Sequence, residues 1–305
     1  MHKTKSYKNS HPICGVYRLF VCIVLFLPID ATLAQELRYL YPPRSGPDYT
    51  PPETTSNEEN LTLIRRTNDP FLRIYPPPEG QAPKGTLLIC PGGGYWVLAI
   101  HYEGDDVAKY FAAQGYLSIV LAYRLPKEAT EAKTHHPLPQ LDAIEALIHS
   151  RKIMAEYDAP TDRLALMGFS AGGHLAASAT TLTADSTYRP DASILVYPVI
   201  TMVEDYAHAG SRQNLLGRDS SRYAAYSPDR LATEVHPPTL FIHAMDDAGV
   251  LPANSLRYAE RLRELGVPVA LYLPEQGGHG FGMRSDLGWL SVTLGWLERL
   301  GWVVE

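Results

Sequence analysis

Cysteine is scarce in this sequence: three in 305 residues, at positions 14, 22 and 90. Two of them fall in the first 34 residues, so a chain cut behind that stretch keeps Cys90 alone. Such a chain has no intrachain disulfide and must draw its stability from a packed core, for which its length suffices. Basic charge is also short, with 27 Lys and Arg against 33 Asp and Glu. Residues 1–34 hold four of the bases and one of the acids, which leaves 23 against 32, a net charge of −9, beyond them. Nucleic acid and anionic membrane surfaces therefore have no electrostatic case as partners. Past residue 34 no apolar run is long enough to span a bilayer. The histidines at 101, 135, 136, 208 and 236 have no Cys or acidic neighbours at metal-ligand spacing, so no metal site is argued. No internal repeat stands out.

The N-terminus is organised differently from the rest. Lys3, Lys5, Lys8 and Arg18 precede the apolar run from Leu19 to Leu27, and Asp30-Ala-Thr-Leu-Ala34 follows. This is the layout of a signal peptide with cleavage after Ala34, and it implies export to a periplasm or beyond. The run is short for a membrane span of about 20 residues. Residues 35–64 are rich in Pro, Thr, Ser and Glu and are expected to lie extended over the surface without a core. Asn60-Leu61-Thr62 has the form of a glycosylation acceptor, relevant only in a eukaryotic secretory pathway.

From residue 65 to 305 the pattern is that of one domain. Phe71–Tyr75 alternates like an edge strand and stops at three prolines. Strand patterns at Thr86–Cys90, which reads as buried, Leu117–Ala122, the short apolar run from Leu164, Ser193–Tyr197, Thr239–His243 and Val269–Leu273 alternate with helical ones. The helical stretches are Asp105–Gln114, Leu138–Met154, the small-residue run after Phe169, Ala253–Leu265 and Ser285–Leu300. Strand–helix alternation predicts an α/β fold with a mostly parallel central sheet and helices on both faces. Chemistry then belongs at the carboxyl ends of the strands. Residues 200–236 break the rhythm and are too long for a bare loop, so a small lid-like insertion is expected there.

The chain is organised around Leu164-Ala-Leu-Met-Gly-Phe-Ser-Ala-Gly-Gly-His174. Gly168-Phe-Ser-Ala-Gly172 fits G-x-S-x-G, in which a serine rides a sharp strand-to-helix turn and its Oγ projects above the sheet. Any glycine-rich βα turn could supply the pentapeptide alone, so the partners of Ser170 decide. A serine nucleophile needs a base, an orienting acid and an oxyanion hole, in this fold in the order Ser, acid, His. His279 lies in a glycine-dense loop after the last strand. His174, one helical turn past Ser170, points away from the reacting face and reads as structural. Asp246 and Asp247 compete for the acid position after the strand ending at His243; Asp247 is favoured because Val250 follows three residues later. Pro91-Gly-Gly-Gly-Tyr95 occupies the place where backbone N–H groups form an oxyanion hole, and Ala171 adds the donor after the nucleophile. A phosphate-cradling loop fails because no Lys follows the glycine run. Tyr95 and Trp96 come next and are expected to flank the acyl group.

Assembled, these residues resemble the acetyl esterase/lipase branch of the α/β-hydrolases, most of all the exported bacterial enzymes described as acetyl xylan esterases. The resemblance spans residues 65–300. It is carried by Cys90-Pro-Gly-Gly-Gly-Tyr95 with Glu103-Gly104, by Ala122-Tyr-Arg-Leu125, and by Gly168 through Leu175. Ala209-Gly-Ser-Arg212 with Asn214-Leu-Leu-Gly217, and Pro238 through Phe281, complete it. Hormone-sensitive-lipase relatives have a His where Pro91 stands, and the Asp-Pro usual after the acid is Asp247-Ala248 here. The resemblance implies a serine esterase that deacetylates carbohydrate without a cofactor. It puts the oxyanion donors on Gly93, Gly94 and Ala171, and His208, Ser211 and Arg212 of the insertion in the substrate pocket. The competing readings are a feruloyl or general short-chain carboxylesterase, a peptidase of the same fold, which usually carries a large extra domain, and a silent α/β-hydrolase scaffold used for binding. Acyl group, sugar and oligomeric state are left open by the sequence.

Overall fold

The computed structural model describes residues 36–43, 53–56, 62–128, 137–184 and 186–303. The expected signal peptide, Asn60 and the histidines at 135 and 136 lie outside them. In chain order the first elements are β1 (Glu36–Tyr39), β2 (Glu53–Ser56), β3 (Thr62–Arg66), β4 (Phe71–Tyr75), β5 (Thr86–Cys90), α1 (Asp106–Ala113) and β6 (Leu117–Ala122). Next come α2 (Leu138–Glu156), β7 (Leu164–Phe169), α3 (Ala171–Leu182), β8 (Ala192–Val196), α4 (Ala209–Leu216) and α5 (Pro228–Leu231). The last are β9 (Thr239–Ile242), α6 (Ala253–Glu264), β10 (Val269–Tyr272) and α7 (Trp289–Arg299).

Eight of the described strands form one sheet in the order β1-β4-β6-β5-β7-β8-β9-β10. From β6 to β10 every pairing is parallel, while β4 runs antiparallel to β6 and β1 antiparallel to β4. All residues of β5, β6, β7 and β8 are buried, as a sheet covered by helices on both faces requires. This is the α/β-hydrolase architecture. Among the described residues no helix is long and apolar enough to cross a membrane.

The strand order locates the chemistry. β5 leads to β6 on one side and β7 to β8 on the other, so neighbouring β5 and β7 form a topological switch point. Crevices for ligands open there, outside the carboxyl ends of the strands. Cys90 pairs with Gly168, so the two strands end within one residue of each other and the loops after them lie side by side.

Three expectations are corrected. β4 is not an edge strand, because β1 pairs along it from Glu36↔Ile74 to Tyr39↔Phe71. The segment 35–64 does contribute to the core: Leu40 and Ile64 are buried, and β3 pairs with β2 in a small sheet. Ile64 and Leu98 also exchange both backbone hydrogen bonds, at 3.0 and 2.8 Å, which clips this segment to the loop after β5. Finally, Asp105 is not the start of an α-helix; it closes a π-helical turn, His101–Asp105, that feeds α1.

Candidate active site

Ser170 has φ +51° and ψ −118°, a conformation that side-chain-bearing residues hold only when their surroundings enforce it. Its N–H donates to Val196 O at 3.0 Å, and its carbonyl accepts from Val199 N–H at 3.0 Å and His174 N–H at 3.2 Å. The flanking glycines are there for space. A Cβ on Gly168 would stand 2.2 Å from Gly172 O, and one on Gly172 2.1 Å from Cys90 O. So the turn packs directly on the end of β5, and Ser170 becomes the cap residue of α3 with that helix's positive end beneath it.

Ser170 Oγ–H donates to His279 Nε2 at 2.8 Å, and His279 Nδ1–H donates to Asp247 Oδ2 at 2.7 Å. The carboxylate of Asp247, 2% exposed, also takes His243 Nε2–H at 3.2 Å and the N–H groups of Gly249 and Val250, both at 2.9 Å. Burial pushes its pKa up, but the hydrogen bonds from His243 and His279, the charge of His279 and the Val250 N–H outweigh it. They hold the carboxyl well below the usual range, so it stays ionised and fixes the His279 tautomer. Asp246 instead accepts Gly278 N–H at 2.8 Å and so steadies the backbone of the histidine loop. His174 is buried, takes the Tyr95 hydroxyl on Nδ1 at 2.7 Å and donates Nε2–H to Tyr226 O at 2.8 Å. Burial pushes its pKa down to about 4.

The oxyanion side is the loop after β5. Gly93 has φ +122°, and a Cβ on it would meet Val97 O at 2.1 Å. Among the described residues, the N–H groups of Gly93, Gly94 and Ala171 donate to no protein acceptor. Asn214 Nδ2 holds Gly94 O at 2.8 Å, so α4 braces this loop from above. Donors held in this way, with no internal partner to give up, are suited to a developing oxyanion.

The residues expected in the substrate pocket divide. Trp96 is 54% exposed and beside the oxyanion glycines, with Lys127 Nζ 4.3 Å over its ring. His208 is half-buried as the N-cap of α4, and it senses the site: burial and the charge of His279 lower its pKa, and Asp247 raises it. Tyr95 is corrected: it is 1% exposed, and its hydroxyl is spent on His174. Ser211 is corrected too, for it is buried and its Oγ lies 2.8 Å from His208 Nδ1. Arg212 turns to the insertion itself, donating to Met202 O at 3.2 Å with its guanidinium over Tyr223. The stretch 200–236 is a packed insertion, tied to the body through Tyr226 O on His174 and through Asn214 Nδ2 on Gly94 O.

Sequence reasoning missed His243, Tyr197 and Glu103. His243 ends a strand pattern and looked like core. Tyr197 follows β8 at the carboxyl edge, the one signal it offered, and its ring centroid lies 5.0 Å from that of His279. Glu103 was visible only as part of the resemblance.

A family model described as the prolyl oligopeptidase family matches residues 109–301. An acetylxylan esterase of Xylanibacter ruminicola is 32% identical over 228 residues, covering 72% of this chain and 45% of that protein. Endo-1,4-beta-xylanase B of Butyrivibrio fibrisolvens is 33% identical over 212 residues, 66% of this chain and 33% of that protein. The chain therefore spans less than half the length of these two relatives. Among solved structures, an acetyl ester-xyloside bifunctional hydrolase from Caldicellulosiruptor lactoaceticus is similar with a TM-score of 0.69 and 31% identity, covering 77% of this chain and 90% of that one.

Proposed function

We propose that this chain, which belongs to the prolyl oligopeptidase family, is an exported serine esterase that removes acetyl and other short acyl groups from carbohydrate such as acetylated xylan. One observation carries the reading: the hydrogen-bonded line from Ser170 Oγ through His279 to a buried, ionised Asp247. In this mechanism Ser170 attacks the ester carbonyl while His279 takes its proton. The oxyanion gathers on the N–H groups of Gly93, Gly94 and Ala171. The acetyl group stays on Ser170 as the C–O bond to the sugar breaks, and His279 returns the proton to the leaving hydroxyl. Water, deprotonated by His279, then releases acetate. The carbohydrate side is supported by the names of the relatives and by the exposed Trp96, whose indole is suited to stacking against a sugar ring. The buried Tyr95 gives no support to a narrow acyl pocket.

Ser170→Ala is expected to lower ester turnover by at least about a thousand-fold with the fold intact. For the substrate class the measurement is kcat/KM across acetyl, butyryl, octanoyl and feruloyl aryl esters, an aminoacyl anilide, and acetate release from acetylated xylan. Acetyl should lead, with turnover falling toward octanoyl. A flat or rising profile removes the acetyl reading, and an anilide outrunning the acetate moves the chain to the peptidases of its family.

A further inference from the structure

Behind Ser170 stands a carboxyl group that acyl transfer does not use. Glu103 is 2% exposed and sits on the π-helical turn His101–Asp105, which Asp105 N–H closes on Ile100 O at 2.7 Å. Single π turns are frequent at functional sites. From this one the Glu103 side chain reaches two walls of the site. Glu103 Oε2 accepts Gly92 N–H at 2.8 Å, and Oε1 accepts the Tyr197 hydroxyl at 2.8 Å.

Each donor leads directly to a reacting group. Gly92 precedes the oxyanion glycines and is wedged between Glu103 and the nucleophile. A Cβ on it would lie 2.5 Å from Glu103 Oε2 and 3.0 Å from Ser170 Cβ. Tyr197 is held at φ +37° and packs edge to face against the rings of His279 and Phe281, with centroids 5.0 and 4.6 Å apart. The end of the histidine loop also closes on the π turn, since a Cβ on Gly282 would meet Tyr102 O at 2.8 Å and Glu103 Cγ at 3.2 Å. We propose that Glu103 is a positioning residue that locks the oxyanion loop, through Gly92, and the back wall of His279, through Tyr197, into one frame around Ser170.

The inference rests on the serine esterase reading and adds to it a residue that touches neither substrate nor the reacting atoms. Its chemistry fits the task. Two donors converge from opposite sides, and a carboxylate offers one acceptor oxygen to each. A glutamine offers one acceptor and one donor; Gly92 N–H can only donate and keeps the acceptor oxygen, so the Tyr197 link must weaken or reverse, and both lose the carboxylate charge. Burial holds the Glu103 carboxyl above its ordinary value, against the pull of the Tyr197 hydroxyl, Gly92 N–H and the charges of His279 and Arg284. A frame that loosens by about 1 Å at an oxyanion donor or at the base costs on the order of a hundredfold in rate while leaving the ground-state complex largely alone.

The test uses the full chain and an aryl acetate as probe. Glu103→Gln should lower kcat about 10- to 100-fold with KM within about threefold. Tyr197→Phe keeps the ring against His279 and removes one link, so it should lose kcat less steeply, by about threefold to tenfold, again at near-constant KM. In the double variant the losses should fall short of multiplying, because the link between residues 103 and 197 that Tyr197→Phe removes is already weakened in Glu103→Gln. The proposal is overturned if Tyr197→Phe keeps wild-type kcat, if the losses appear in KM alone, or if the two losses multiply. Tyr197→Phe decides the matter where Glu103→Gln does not fold. Ser170→Ala run alongside separates the two levels. If it keeps wild-type turnover, the esterase reading falls and this inference with it. If it is dead while the Glu103 and Tyr197 variants match wild type, only this inference falls.

Discussion

Two glycine-dense segments hold the two halves of the Ser170–His279 pair, and they do so by different physics. At the serine turn, glycine is required for lack of room: the Cβ positions of Gly168 and Gly172 fall 2.2 and 2.1 Å from backbone oxygens. On either side of His279 the space is open. A Cβ on Gly278 or Gly280 would meet no atom within 4 Å, yet these residues hold φ values of +61° and +76°. The strain is divided accordingly. On the serine side a residue with a side chain, Ser170 itself, takes the left-handed φ of +51°, and close packing compels it. On the histidine side glycines take it and the neighbouring side chains are relieved of it. The serine is thus fixed by crowding, and the histidine by hydrogen bonds, from its ring to Asp247 and from the Gly278 N–H of its loop to Asp246.

The largest test of that contrast removes the charge on the histidine side. Asp247→Asn is expected to lower kcat by about ten-thousand-fold, because an amide can hold the wrong His279 tautomer and provides no counter-charge for the imidazolium. Asp246→Asn keeps an amide oxygen that can still accept Gly278 N–H, so its loss should stay within about tenfold. Steady-state kinetics on an acetate ester reads both. Equal losses would mean that the two aspartates do not divide the work between ring and backbone as the geometry has it.

Next in size is the crowding on the serine side. Gly172→Ala drives a methyl group into Cys90 O, where the nearest atoms are backbone and have little freedom to yield. The expected cost is about 3 kcal/mol of stability. Urea unfolding measures it. A variant of wild-type stability would show that the end of β5 can give way, and that crowding does not hold Ser170 in its conformation.

The same contrast explains what could be read from the sequence. The serine turn, the histidine loop and the acid loop were legible because each is a short-range pattern: a motif confined to a turn at the end of an apolar strand. Strand order and the role of β1 were not. Glu36–Tyr39 is mostly exposed and only four residues long, too short for its alternation to stand out, and it becomes a strand because β4 offers a free edge to pair with. Tyr95 was misread for a related reason. Its place after the oxyanion glycines suggested the pocket, but its φ of +60° carries the ring down onto His174. Glu103 and Tyr197 were out of reach, since 94 residues separate them and only the sheet brings them together. Ser211 was misread because its role is local capping by His208, which a pocket assignment by resemblance does not see.

The smallest expected effect is the most discriminating, because it compares the ranking of two substitutions at each of two positions. Gly280 needs a left-handed backbone and has open space around its Cβ position. Alanine there pays about 1 kcal/mol or a little more for the left-handed conformation. Asparagine is larger but visits that region more readily, since its side chain can hydrogen-bond to the local backbone. Gly280→Asn should therefore be less destabilising than Gly280→Ala, by a few tenths of a kcal/mol. Gly172 carries no left-handed requirement and has no space, so size alone ranks the substitutions. There Asn should be worse than Ala by a wide margin. Urea midpoints of the four variants are enough. If Ala is the milder substitution at both positions, the histidine loop is also limited by room, and the contrast between the two segments is lost.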